Sequence, residues 1–201
     1  MTNVPCHTAK CYSLLVEEKT TYTFTIGRRG HTRKITIEFT NDEFKHLAGL
    51  QYLKDIKFPS PKAEDALIFT RDSSSFQQQI LASVSFSQIS ERITHLEHLD
   101  WVLRQPDDIV VWEQKKSRYG SKLRADYIIS RLHNQKCDIF GIKQKGVNYR
   151  GITFIVNARE RYISGQTKWT VLKIERSDKS SAETVFISPS FKEDSVNTDN
   201  I

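Results

Sequence analysis

Apolar residues in this chain recur first at helical spacing and then, beyond residue 108, at every second position. Residues 5–18 place Cys11, Leu14 and Leu15 on one helical face. Residues 20–26 alternate Thr and apolar side chains through Tyr22, Phe24 and Ile26. The turn residues Gly27-Arg28-Arg29-Gly30 follow, and residues 33–40 alternate again through Ile35, Ile37 and Phe39. That is the pattern of a β-hairpin. Asn41 or Asp42 can cap a helix over 43–53, where Phe44, Leu47, Leu50 and Leu53 share a face. Pro59-Ser60-Pro61 interrupts the chain, and short helices are predicted over 63–70 and 76–83. Ser85 or Ser87 caps the longest predicted helix, 88–104, with Ile89, Ile93, Leu96 and Leu103 along one line and Pro106 at its end.

Period-two patterning then predicts strands over 109–113, 121–132, 136–144, 151–157 and 166–176, with a basic loop at 115–120. The short links favour antiparallel pairing, because parallel neighbours need long crossovers. The predicted fold is therefore α+β: an N-terminal hairpin and helices packed on a C-terminal antiparallel meander of about four or five strands. Residues 1–176 read as a single domain. Residues 177–201 read as a polar, mobile tail whose one apolar island, Val185-Phe186-Ile187, can lie on the body.

Composition adds bounds. An apolar share of 38% with 10% aromatics supports a packed core. No apolar run reaches the roughly 18 residues that span a membrane, and no secretory signal is visible at the start. Three cysteines do not make a disulfide framework and fit a reducing compartment. A cytoplasmic location is expected, with export lacking such a signal left open. Cys6, His7, Cys11 and Cys137 lack the spacing of a metal site, so no metal or cofactor is expected.

Charge changes the picture most. Residues 111–176 carry fifteen basic side chains against five acidic ones, while residues 1–110 carry thirteen against fourteen. The net charge of +6 thus comes from the strand-rich block. Charge segregated in this way attracts a polyanion, and nucleic acid is the usual one.

Period-two alternation also sorts the faces. Leu123, Ala125, Tyr127 and Ile129 share one side, with Lys122, Arg124, Asp126 and Ser130 on the other. The polar set would form an open cationic surface able to cradle a phosphate. Arg124 and Asp126 could equally neutralise one another, and Tyr127 belongs with the apolar side. Thr153 is also an ordinary strand former. His46 sits beside the apolar stripe of helix 43–53, where an imidazole could shuttle protons or serve the structure. Arg92, on helix 88–104, could reach the sheet or solvent.

Phe44-Lys45-His46-Leu47-Ala48-Gly49-Leu50 resembles the Phe-x-His-Leu-x-Gly-Leu signature of phage-type barnase–EndoU–colicin–RelE-like (BECR) nucleases, specifically their fourth phage-associated family. The hairpin precedes it. Glu91-Arg92-Ile93, then Ser121-Lys122-Leu123-Arg124-Ala125-Asp126-Tyr127 and Gly151-Ile152-Thr153-Phe154, follow in the family's order, so the similarity covers roughly residues 5–160. It implies helices on an antiparallel sheet and metal-independent RNA cleavage, often in mobile elements or toxin systems. The chain departs from the pattern after Thr153, where Phe154-Ile155 stands in place of a second aromatic.

By position the resemblance implies catalytic roles for His46, Arg92, Lys122, Tyr127 and Thr153. Ser121, Arg124, Asp126 and Arg118 are the substrate-binding candidates. His46 would act as acid or base, and Lys122 with Arg92 or Arg124 would hold the phosphate. Tyr127 would stack a base or carry a second proton. The expected partner is RNA. The rival readings are a non-catalytic nucleic-acid-binding module and an interaction protein whose basic face takes an acidic inhibitor protein.

Overall fold

The computed structural model describes residues 3–117, 120–133 and 135–192. Helix α1 (Val4–Glu17) begins where Asn3 accepts the Cys6 N–H at 3.3 Å, with Pro5 in the first turn. A missing N–H costs nothing there. Strands β1 (Thr21–Arg28) and β2 (His31–Glu38) pair antiparallel around Arg29 and Gly30, both at positive φ. That turn has the twist a hairpin needs.

Helix α2 (Asn41–Leu47) carries Asp42 and Glu43 in its first turn and Lys45 and His46 in its last, in keeping with the helix dipole. It is shorter than the spacing predicts. Gly49, at φ +78°, ends it, and a 3-10 turn over Leu50–Tyr52 follows. Phe44, Leu47, Leu50 and Leu53 are nevertheless all buried, so the predicted face is the real one.

Helices α3 (Asp65–Asp72) and α4 (Ser74–Ala82) come next. The single helix predicted over 88–104 is in fact two, α5 (Ser90–Leu96) and α6 (Leu99–Arg104). Tertiary ties anchor α6 on its own. The Tyr22 hydroxyl donates to Asp100 at 2.7 Å, and Arg131 donates to the Trp101 carbonyl at 2.8 Å.

The remaining elements are β3 (Asp108–Val111), β4 (Tyr127–His133), β5 (Lys136–Lys145), β6 (Asn148–Val156), α7 (Arg159–Tyr162), β7 (Thr167–Ser177) and β8 (Ala182–Ile187). They do not form a separate four- or five-stranded antiparallel meander, and that expectation is overturned. The strands run β1-β2-β6-β5-β4-β3-β7, and β7 pairs back on β1 to close a seven-stranded mixed barrel. The eighth strand, β8, lies along β7 and is built from part of the predicted tail.

Two features explain the difference. Strand β2 joins β6 through a short parallel bridge, Ile37↔Tyr149 and Glu38↔Arg150. Glu38 reinforces it by accepting from Arg150 at 2.7 Å and Asn148 at 3.0 Å. Strand β7, eleven residues long, meets β3 with its first residues and β1 with the rest. Closure leaves the ring no free edge.

The main core holds Phe24, Ile37, Phe44, Leu47, Phe140 and Phe154 between barrel and helices. The opposite side of β3–β6 is not the open cationic face that alternation suggested. A second cluster covers it, with Val110, Trp112, Ile128, Ile139, Tyr162 and Ile163 buried there. The strand predicted from residue 121 starts only at Tyr127, although exposure still alternates over 121–127, with Lys122 and Arg124 exposed.

Candidate active site

A cleft of about 890 Å³ opens across β6. Thr153, Ile155 and Val156 line it from that strand, Arg92 and Gln88 from the α5 side, and Ser121, Lys122 and Arg161 from the other. Four predicted residues, Arg92, Ser121, Lys122 and Thr153, therefore meet in one place although the chain separates them widely.

Arg92 is the centre of the cleft's electrostatics. Its Nη2 donates to the Thr153 hydroxyl at 3.1 Å and its Nε to the Phe154 carbonyl. Its guanidinium carbon lies 5.7 Å from the centroid of the Tyr52 ring. Burial pushes its pKa down, and among the described residues it pairs with no carboxylate. A partly desolvated cation whose bonds go only to neutral oxygens is left to be completed by an anion.

Gly49 makes this placement possible. A Cβ there would stand 2.9 Å from Arg92 Cδ, and the residue is left-handed as well. Opposite, the 120–123 segment is pinned from three sides. Trp112 Nε1 donates to Leu123 O at 3.0 Å, Gln114 Nε2 to Ser121 O at 2.6 Å and Arg161 Nη2 to Gly120 O at 3.0 Å. These bonds hold Lys122 at the rim, exposed and without an ion pair among the described residues. Glu91, the acidic group at the cleft, is engaged by Lys136.

His46 lies in a smaller neighbouring groove of about 270 Å³, with Asp42, Glu43, Lys145, Gly151 and Ile152. It is exposed. Both grooves draw on β6, Ile152 lining one and Thr153 the other. Glu43, one turn before His46, is buried. Its Oε2 accepts from the Tyr12 hydroxyl at 3.2 Å, while its Oε1 has no hydrogen-bond partner. Burial pushes this carboxyl up to about 7; Arg150, 3.9 Å away, is engaged by Glu38.

Three other candidates lie outside the cleft. Asp126 accepts from the Gln144 backbone N–H at 2.7 Å, and Arg124 is exposed outside it. Tyr127 is buried in the main core, accepts from Arg33 at 3.0 Å and packs edge-on to Tyr149 with centroids 5.5 Å apart. Arg118 falls outside the described residues.

Sequence reasoning missed Tyr52, Gln88, Arg161 and Tyr162 as site residues. Arg161 was visible only as one of fifteen basic residues. Tyr52 sat at the end of a predicted helix and gave no signal. Among the described residues, no three His, Cys, Asp or Glu side chains gather to hold a metal ion. No described helix is long and apolar enough to cross a membrane.

No curated protein and no solved structure matches this chain. The family profile described as phage-Barnase-EndoU-ColicinE5/D-RelE like nuclease 4 matches residues 7–189, which takes in every element from β1 to β8. The chain, with its signature helix α2 and the cleft that Gly49 and Arg92 shape beside it, belongs to that nuclease family.

Proposed function

We propose that the protein is a metal-independent endoribonuclease that cleaves RNA by transesterification, with the scissile phosphate held between Arg92 and Lys122. The observation that carries this reading is Arg92, half-buried in the lining of the cleft with donors fixed by Thr153 and Phe154 and, among the described residues, no carboxylate to neutralise it.

In the reaction a base takes the proton of the ribose 2′-hydroxyl, and that oxygen attacks the adjacent phosphorus. The bond to the 5′-oxygen breaks, and an acid returns a proton to the leaving oxygen. The products are a 2′,3′-cyclic phosphate and a free 5′-hydroxyl. Negative charge grows on the phosphoryl oxygens during attack, so cations fixed beforehand lower the barrier. Arg92 and Lys122 take that role. Ser121 and Thr153 offer hydroxyls on either side. His46, across the shared strand β6, serves as acid or base, and its exposure leaves it accessible to an RNA crossing both grooves.

Matched RNA and DNA oligonucleotides, incubated with the protein in excess chelator, test the reading. Cleavage of RNA alone is the expected outcome. Cleavage of DNA, or loss of cleavage on chelation, overturns it. Salt-dependent binding with every strand left intact would point to the non-catalytic module instead.

A further inference from the structure

The cleft is far larger than one phosphate requires. At about 890 Å³ it lies near the top of the roughly 300–1,000 Å³ range of small-molecule sites. Beside Arg92 its lining includes Tyr52, which closes the 3-10 turn Leu50–Tyr52, and Ser87 and Gln88, just before α5. These add an aromatic ring and an uncharged amide to the cation.

Tyr52 is 49% exposed, an unusual share for a large ring beside a buried core. Arg92 lies 5.7 Å from the ring centroid, and the ring lines the cleft. The Gln88 side chain is exposed and makes no hydrogen bond among the described residues. An amide presents a donor and an acceptor together, the pairing that reads a base edge. An open aromatic face beside a phosphate-binding cation is how single-stranded nucleic acid is gripped, because every base has a π-face to stack.

We infer that the Tyr52–Gln88 end of the cleft is a nucleobase subsite, in which Tyr52 stacks the base next to the phosphate held by Arg92 and Gln88 reads its edge. The inference rests on the proposed phosphate position and goes beyond it, since it makes the cleft a site for a nucleotide with base discrimination.

Binding alone tests it, with no cleavage step. The full-length protein is titrated with inorganic phosphate and with each of the four nucleoside 3′-monophosphates, and affinities are read by calorimetry. The nucleotides bind about tenfold or more tighter than inorganic phosphate, in line with stacking on one ring. Tyr52→Ala removes that advantage, weakening nucleotides far more than phosphate, whereas Tyr52→Phe keeps it. Gln88→Ala narrows the spread among the four bases. Nucleotides no tighter than phosphate overturn the subsite, and so does Tyr52→Ala weakening phosphate and nucleotide alike. If nucleotides bind as described but RNA stays intact, the ribonuclease reading fails and the subsite stands. If RNA is cleaved but nucleotides gain nothing over phosphate, the reverse holds.

Discussion

Arg92 shows at the scale of one residue how this chain trades stability for function. A half-buried guanidinium that among the described residues meets only neutral oxygens and the Tyr52 ring keeps part of its charge unmet. Two outcomes follow. Arg92→Ala slows RNA cleavage by about 10²–10³-fold, the usual effect of removing one donor to a charged transition state. Sulfate also raises the melting temperature of the wild type more than that of Arg92→Ala, because only an intact site binds the anion. At tenfold excess over the dissociation constant the gain is about 1.4 kcal/mol. Equal shifts in calorimetric melting would mean that the anion sits elsewhere. The sequence named Arg92 through a resemblance and could not choose between sheet and solvent. The choice depends on Gly49, forty-three residues earlier, and no local pattern links the two.

Helix α2 and the turn after it bury one continuous face. That face was legible because Phe44, Leu47, Leu50 and Leu53 keep their spacing across the break at Gly49. For the same reason the break was not legible. Gly49→Ala forces a Cβ into a left-handed backbone and against Arg92. A loss of about 1–3 kcal/mol in denaturant unfolding is expected, together with weaker anion binding. A variant with wild-type stability and wild-type binding would show that the turn adapts freely.

Glu43 on the same helix sets a pH dependence. Burial raises its carboxyl from an ordinary 4.5 to about 7, so the group binds its proton more tightly folded than unfolded. Its stabilising contribution is fully present below about pH 4.5 and is lost as pH rises through 7. Up to about 3 kcal/mol is involved. Glu43→Gln removes that slope. Between pH 5 and 7.5 the wild type should lose more stability than the variant in parallel unfolding experiments. Parallel curves would contradict the assignment.

For the whole molecule, local patterning found most of the strands, since period-two alternation is a local property. Barrel closure was hidden because it depends on a two-pair parallel bridge and on β7 changing partners midway. The same distinction governs the site. Basic residues were visible as a block, but the second core over β3–β6 removes most of that sheet face from solvent. Arg124, Asp126 and Tyr127, placed with Lys122 by the resemblance, do not join it at the cleft: Asp126 accepts from the Gln144 N–H and Tyr127 is buried in the main core. What survives is a cleft assembled from three distant segments.

The most direct test of that cleft is single-turnover digestion of an end-labelled RNA oligonucleotide in excess chelator, with the products resolved by their terminal groups. Wild-type protein should release fragments ending in 2′,3′-cyclic phosphate, and Arg92→Ala should release the same fragments at least about 100-fold more slowly. Fragments ending in 5′-phosphate, or an Arg92→Ala rate equal to wild type, would contradict the account.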